Sequence, residues 1–163
     1  MGADRVTTIA RALPQRNADD VTLRRADLTD RERVFEYNYA DDVRAVSGSK
    51  DVIAYSDHVR WFGKRIAQPA SPIWIIEQYG EPVGTVRIDA RVDANAKISI
   101  ALAPAARGHG IGRKAIELAC TRWCGTVIAE IHESNAQSRA CFVACGFAKT
   151  GKREAFDVYL WSP

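Results

Sequence analysis

The 163-residue sequence has no long apolar run, no strong charge excess and no apolar leader. It contains no stretch of 18 apolar residues, so it predicts no membrane span. Residues 1–20 are polar and carry no apolar segment of the kind found in secretory signal peptides. The net charge is only +3, because 23 basic residues oppose 20 acidic ones, which argues against nucleic-acid binding. These absences predict a cytoplasmic protein.

Cysteine is scarce and occurs in two pairs, each spaced four residues apart. The pairs are Cys120 with Cys124 and Cys141 with Cys145, in segments that read as helices rich in Ala, Leu and Val. Protein zinc sites commonly place two ligands closer together, in a loop. Small buried residues on helix faces therefore account better for these thiols than a metal site does. In the expected cytoplasmic setting the thiols are predicted to be reduced, and no metal is predicted.

The 47% hydrophobic content is enough for one core of ordinary size. Residues 1–18 are predicted to form a loosely ordered tail, and residues 19–163 a single domain. Alternating apolar residues predict strands at 21–25, 73–79, 83–91, 97–102, 127–132 and 156–161. Helical spacing predicts helices at 29–37, 56–66, 111–123 and 135–145, with a loop at 38–50. This order indicates an α+β (mixed α/β) fold with a largely antiparallel sheet.

A glycine-rich loop joins the strand at 97–102 to the helix at 111–123. Glycines leave backbone N–H groups open to an anion, and the positive end of the following helix adds to the attraction. An arginine at the start of the loop adds a cation at its mouth. The pattern predicts a diphosphate site. Its members are Arg107, Gly108, His109, Gly110, Ile111 and Gly112.

Other glycine-loop sites fit this segment less well. A dinucleotide site needs G-x-G-x-x-G in a βαβ unit, with an acidic residue roughly 20 positions on, whereas the spacing here is G-x-G-x-G. A P-loop would end in G-K-[ST], which is missing. A purely structural turn stays open as an alternative, although three glycines in five residues are hard to explain in that way.

Two segments resemble the GCN5-related N-acetyltransferase (GNAT) superfamily. That superfamily has a strand, a proline and then [RQ]-x-x-G-x-[GA], and Arg107, Gly110 and Gly112 fill these three positions. Residues 135–147 resemble the family's Asn-led helix that ends in Gly-Phe. The resemblance implies a GNAT fold, with a mostly antiparallel sheet of about six to seven strands and about four helices. It also implies splayed strands that form a slot for acyl-CoA.

The same resemblance implies an enzyme that moves acetyl from acetyl-CoA to a primary amine. The amides of residues 108–112 would hold the CoA pyrophosphate. The backbone around Leu102 would pair with the pantetheine arm, and Asn135 would meet that arm or the acetyl group. Splaying near Leu102 and Val127 would open the slot. Direct transfer is preferred to an acyl-enzyme on Cys141, because the sequence places no base beside that thiol.

Direct transfer needs a proton acceptor for the amine and donors for the developing oxyanion. The resemblance implies a backbone N–H near Leu102 as the oxyanion donor. Glu133, His132 and Asp89 are the candidate proton acceptors, because they lie on, or at the end of, strands with polar faces.

The thiolate leaving group is a separate question. Many family members place a tyrosine four residues before the helix-ending glycine to protonate it, and this chain has Phe142 there. Water, Tyr159 or Ser138 is left for that role, unless the thiolate leaves unaided.

The acceptor is expected to bind at the early helices. Residues 37–62 and the strand at 83–89 resemble the sub-group that acetylates amino groups on nucleotide-linked sugars, including the PseH-like enzymes. The resemblance implies that His58 and Trp61 stack on the acceptor and that Arg44 and Arg87 bind its diphosphate. The chain departs at 37–41, where a tryptophan-arginine pair is usual. A core role for Trp61 and surface roles for the others are the alternative.

Two other functions stay open. The acceptor could be a protein N-terminus, a polyamine or an antibiotic. Because Phe142 replaces the tyrosine, a non-catalytic CoA-binding sensor is the second alternative. By analogy alone, a homodimer is expected, with Trp161 as a candidate interface residue.

Overall fold

Seven strands in one sheet organise the computed structural model, which describes residues 18–47, 51–91 and 95–163. The predicted tail lies outside the described residues except for Ala18. The strands are β1 Val21–Arg25, β2 Ile73–Gln78, β3 Glu81–Ala90, β4 Ala96–Leu102, β5 Val127–His132, β6 Ala148–Arg153 and β7 Phe156–Trp161. The helices are α1 Arg31–Tyr39, α2 Asp41–Ala45, α3 Tyr55–Ile66, α4 Ile111–Thr121 and α5 Ala136–Ala144. The mixed α+β fold is confirmed.

The sheet divides into two halves that meet at one parallel pair of strands. Its order is β1-β2-β3-β4-β5-β7-β6, and every neighbouring pair except β4 with β5 is antiparallel. β4 and β5 pair only at Ala96 with Val127 and at Lys97 with Ile128. Beyond these residues each strand stays paired with its other neighbour, as far as Leu102 on β4 and His132 on β5. A wedge therefore opens between the two strands. Splaying was predicted, but Val127 belongs to the paired end.

Helices cover both faces of the sheet, and β2 shows how the chain achieves this. Trp74 and Ile76 pack in the larger core cluster, which contains the buried face of α4. Ile73 and Ile75 pack in a second cluster with Val34 of α1 and Phe62 of α3. Successive residues of a strand point to opposite faces, so a strand buried on both faces is apolar at every position. The first four residues of β2, Ile73 to Ile76, have that pattern, whereas Glu77 and Gln78 at its end are polar.

Two elements were missed in the sequence. The short helix α2 lies in the segment predicted as a loop, and the edge strand β6 was not predicted. All six residues of β6 are exposed, so the strand carries no apolar alternation. The described part of the chain therefore contains five α-helices where about four were expected.

The cysteines follow the prediction only in part. All four are free thiols. Cys120 is buried in α4, but Cys124 is exposed because α4 ends at Thr121. Within the described ranges, no cluster of three or more His, Cys, Asp or Glu side chains is arranged to hold a metal ion. In the same ranges, no helix has the length and apolar content needed to cross a bilayer.

Candidate active site at the splayed strands

A cleft of about 640 Å³ follows the glycine-rich loop and reaches the gap between β4 and α5; we call it the donor cleft. Most of the residues predicted to hold CoA line it. They are Leu102, Arg107, Gly108, Gly110, Gly112 and Asn135. His109 is exposed outside the cleft, and Ile111 is fully buried in the core. Those two residues can offer only backbone groups to a ligand there.

The glycines of this loop have conformations that suit an anion cradle. Gly108 and Gly110 both have φ +77°, which side-chain-bearing residues rarely adopt. Gly110 caps α4, and the first backbone hydrogen bond of the helix runs from Lys114 N to Gly110 O at 3.1 Å. The N–H groups of residues 111–113 therefore have no partner within the helix. Open amides at a positive helix end fit a diphosphate.

Gly112 lies between the two walls of the cleft. A Cβ on Gly112 would lie 3.3 Å from Leu102 Cδ1 and 3.5 Å from Cys141 Sγ. These atoms come from the two walls of the cleft, on β4 and α5. Any side chain at Gly112 would therefore narrow the space between them, which fits the predicted course of the CoA chain.

Asn135 lies where the donor cleft meets a second cavity. Its Oδ1 accepts a hydrogen bond from Ser138 N at 3.0 Å and so caps α5. The second cavity, the acceptor cavity, has a volume of about 590 Å³ and extends towards α1, α2 and β3. Both spaces share the wedge between the splayed strands, so a reacting pair could meet there. The residues that line both are Val43, Val46, Ile100, Ala101, Asn135, Ser138 and Phe142.

Seven charged side chains line the acceptor cavity among neutral and apolar ones. Four are cationic and three are acidic: Arg44, Arg87, Lys97 and Arg153 against Asp51, Glu130 and Glu154. Glu130 is shared by three cations, because Lys97, Arg91 at 3.1 Å and Arg153 at 3.6 Å all pair with it. Burial raises the pKa of Glu130, but hydrogen bonds and charge from Lys97 and Arg91 outweigh it and lower the pKa overall. Among the lining residues, cationic side chains outnumber acidic ones by one.

Arg87 is held in place on the wall of this cavity. Its guanidinium lies 5.4 Å from the centre of the Trp61 ring, within the range of a cation–π contact. Its Nε lies 3.3 Å from Asp89 Oδ2. Burial, and then the charge of Arg65, lower the pKa of Arg87. Trp61 itself does not line the cavity, so it supports Arg87 and offers no acceptor contact in this structure.

Asp89 does not serve as the predicted proton acceptor in this structure. It pairs with Arg65 as well as with Arg87, and it lines neither the cavity nor the cleft. It stands beside Lys97 at the paired end of the sheet, away from the wedge. Its carboxylate offsets the positive charges of Arg65 and Arg87.

His58 is the clearest correction among the predicted acceptor contacts. Its exposure is 0%, and its Nε2 donates to the carbonyl of Arg31 at 2.8 Å. Burial lowers the pKa of His58, which keeps the ring neutral. A fully buried ring cannot stack on a substrate. Its aromatic neighbours are Phe35, Tyr39, Tyr55, Trp61 and Phe62.

The other two predicted proton acceptors differ in position. His132 lines the acceptor cavity, and its Nδ1 lies 2.7 Å from Ser134 Oγ. Glu133 lies outside both spaces, is 52% exposed, and pairs with Lys152 at 2.6 Å. The hydrogen bond and charge of Lys152 lower the pKa of Glu133, which makes it a weaker base. Of the three candidates, only His132 reaches the cavity.

The family model for the acetyltransferase (GNAT) domain matches residues 20–148. The chain belongs to this family. As a GNAT protein it is an N-acetyltransferase, and the resemblance seen in its two glycine-bearing segments is confirmed at that level. No sequence among the curated proteins matches it.

Several solved structures share the fold at low sequence identity. Spermidine N-acetyltransferase from Vibrio cholerae, solved with CoA and spermine, has 17% identity and a TM-score of 0.75, covering 86% of this chain and 93% of its own. A domain from Methanocaldococcus jannaschii has 22% identity and a TM-score of 0.75, with coverages of 88% and 98%. The aminoglycoside enzyme AAC(6')-Ib, solved with ribostamycin and CoA, has 17% identity and a TM-score of 0.76, with coverages of 88% and 94%.

Within this GNAT domain, two hydroxyl groups were candidates to protonate the thiolate. Tyr159 is buried in the core on β7 and lines neither space. Ser138 lines both spaces and lies one helical turn before Phe142 on α5. Residues four apart share one face of a helix. Of the two candidates, only Ser138 lines both spaces, on the same helix face as Phe142.

Several residues of the site were not predicted from the sequence. Asn38 lines the acceptor cavity, and its Oδ1 accepts a hydrogen bond from Thr85 Oγ1 at 3.1 Å. Lys97 and Arg153 also line the cavity, and Asp42 lines the donor cleft. The signal available in the sequence was that Lys97 and Glu130 are charged residues on predicted strands. The partners that hold them come from distant parts of the chain.

Proposed function

We propose that this N-acetyltransferase transfers acetyl from acetyl-CoA to the primary amine of an acceptor that also carries a negative charge. The proposed acceptor is an amino group on a nucleotide-linked sugar. The observation that carries this proposal is the surplus of cationic side chains in the acceptor cavity. A diphosphate would meet paired donors there, because guanidinium groups bind phosphate oxygens in a matched geometry.

The charge balance separates anionic from cationic acceptors. Glu130 is already paired with Lys97, Arg91 and Arg153, so it is a poor partner for another ammonium group. A polyamine or an aminoglycoside would bring several positive charges towards Arg87 and Lys97. Bringing like charges together at a binding site costs several kcal/mol of binding free energy. The acceptors named for the similar solved structures are therefore not carried over to this chain.

The donor assignment rests on the loop and its helix. Gly108 and Gly110 leave their amides uncovered, and the open N–H groups of residues 111–113 complete the cradle. When bound, acetyl-CoA supplies the thioester carbonyl that the amine attacks. A backbone N–H near Leu102 is the proposed donor to the oxygen of that carbonyl. Asn135 and Phe142 border the wedge where the thioester would lie.

His132 is the proposed proton acceptor and Ser138 the proposed proton donor. The amine nitrogen forms a bond to the carbonyl carbon, and the bond from that carbon to sulfur breaks. His132 takes the proton that the amine loses, since it faces the acceptor cavity. Ser138, or a water beside it, gives a proton to the departing thiolate, and the proton held by His132 returns through solvent to replace it. Positioning both reactants in the wedge supplies the rest of the acceleration.

An acceptor panel tests the proposal. The purified protein is supplied with acetyl-CoA and one amine at a time: a UDP- or dTDP-linked amino sugar, spermidine, an aminoglycoside or a short peptide. We expect kcat/KM for a nucleotide-linked amino sugar to exceed that for spermidine by at least about tenfold, and to fall with added salt. Equal or better turnover of spermidine or the aminoglycoside would refute the acceptor class. CoA binding without turnover of any amine would favour the sensor alternative.

A further inference from the structure

The side chain of Arg107 donates three hydrogen bonds to two groups of the protein. Its Nε and Nη2 donate to the carbonyl oxygen of Leu102, at 3.0 and 2.8 Å. Its Nη1 donates to Asp42 Oδ2, with which it also forms an ion pair. A guanidinium has five N–H donors in a fixed fork. Once the fork is fixed at Leu102 and Asp42, few donors are left for a phosphate.

Asp42 belongs to α2, which forms part of the roof over both spaces. Val43 and Val46, at the end of this helix, line the donor cleft and the acceptor cavity. Arg44, on the same helix, lines the acceptor cavity. A shift of α2 would therefore move the walls of both sites at once.

The residues of α2 are all exposed or only half-buried. The helix is five residues long and buries none of its side chains. A helix of this length is not stable by itself in water, because helix nucleation is costly. Its position must come from contacts with its neighbours. The ion pair from Asp42 to Arg107 ties it to the glycine-rich loop, and the hydrogen bond from Arg107 lowers the pKa of Asp42.

We propose that Arg107 is a positioning residue that ties α2 to the donor loop and so fixes the roof of the acceptor cavity. Its guanidinium is not a ligand of the CoA phosphates. The backbone of the loop binds the donor, and the arginine side chain transmits the position of that loop to Val43, Arg44 and Val46. The proposal rests on the proposed function, in that the second cavity is taken as the acceptor site.

The test compares Asp42→Asn, Arg107→Gln and the double variant. We expect each single variant to raise the acceptor KM about two- to fivefold, the range of a partly exposed ion pair. kcat and the CoA dissociation constant should stay within about twofold, because the backbone cradle is intact. The double variant should be no worse than the worse single variant, since both remove the same contact. Asp42→Asn is the cleaner variant, because Arg107→Gln also frees the Leu102 carbonyl.

Asp57→Asn is the matched control. Asp57 pairs with Arg60 at 3.5 Å on an exposed face of α3, and it lines neither space. Its loss should leave the acceptor KM and the CoA affinity unchanged. A general effect of removing one surface carboxylate would appear in this variant too.

Two results would overturn the proposal. One is a loss of CoA affinity of tenfold or more in Arg107→Gln, measured by calorimetry, with no loss in Asp42→Asn. That pattern would make Arg107 a phosphate ligand. The other is a double variant whose KM effect equals the product of the two single effects. If the wild type acetylates no amine in the panel, the proposed function fails, and CoA calorimetry alone then decides the role of Arg107.

Discussion

The donor cleft and the acceptor cavity meet in the same wedge but are built from different parts of the chain. The donor cleft uses backbone groups of consecutive residues, with Gly108 and Gly110 in left-handed conformations at the start of α4. The acceptor cavity uses charged side chains from several elements, and Glu130 of β5 pairs there with Lys97 of β4 and Arg153 of β6. A site built from backbone groups can be predicted from consecutive residues, whereas a site built from side chains depends on tertiary contacts.

The backbone character of the donor site is tested by Gly110→Val. The φ of +77° is strained for a β-branched residue, at a cost of about 1–3 kcal/mol, and the new methyl groups would crowd the cradle. We expect CoA binding to weaken by at least about 100-fold by calorimetry, because both the amide geometry and the open space are lost. This is the largest effect we expect.

Gly63→Ala is the control for that variant. Gly63 lies inside α3, and a Cβ added there would meet no atom within 4 Å. The substitution should leave CoA affinity unchanged and stabilise the helix by up to about 1 kcal/mol. If Gly110→Val instead binds CoA within threefold of the wild type, the loop is a structural turn.

On the acceptor side, His132→Gln should reduce kcat by about 100-fold, because a positioned proton acceptor contributes at least that much. The acceptor KM should change little. Glu133→Gln is the matched control, since Glu133 is adjacent but lies outside both spaces and pairs with Lys152. A larger loss in Glu133→Gln than in His132→Gln would reverse the assignment.

The contrast between the two regions also explains which predictions failed. The glycine-rich loop and the helix that follows it could be predicted from consecutive residues. The buried strands could be predicted in the same way from their apolar residues. His58 was wrongly placed in the acceptor site because its burial depends on Phe35 and Tyr39 of α1, which meet it only in the folded chain. Asp89 was misjudged for the same reason, since Arg65 reaches it from α3.

The missed elements have a related cause. β6 has every side chain exposed and α2 has none buried, so neither leaves an apolar pattern in the sequence. Hydrophobic periodicity in a sequence indicates which face of an element is buried, so it cannot reveal an element that has no buried face. The helix that roofs the active site was therefore the one that sequence patterns could not reveal.

A smaller effect follows from the burial of His58. Its pKa lies below the value of about 6.5 expected in the unfolded chain. Between these two values the unfolded chain binds the extra proton, so the free energy of unfolding falls as the pH drops below about 6.5. Above that pH the contribution of the neutral ring is fully present.

Urea unfolding of the wild type and of His58→Gln at several pH values checks this. The wild type should lose more stability between pH 7.5 and 5.5 than the variant does, although the variant is less stable at pH 7.5 because the ring packing is lost. Parallel pH profiles for the two proteins would mean that His58 is not buried as a neutral ring. CoA affinity of the folded variant should be unchanged, because His58 touches neither space.

The central claim is that backbone binds the donor and side-chain charge binds the acceptor, and Arg87→Gln tests it most directly. Arg87 lines only the acceptor cavity, and Asp89 keeps Arg65 as a partner when Arg87 is replaced. The measurement is the acceptor KM for the nucleotide-linked amino sugar beside the CoA dissociation constant, with the exposed Arg60→Gln as control. We predict that Arg87→Gln raises the acceptor KM about tenfold and leaves CoA binding within twofold of the wild type. An unchanged acceptor KM, or an equal loss of CoA affinity, would contradict the account.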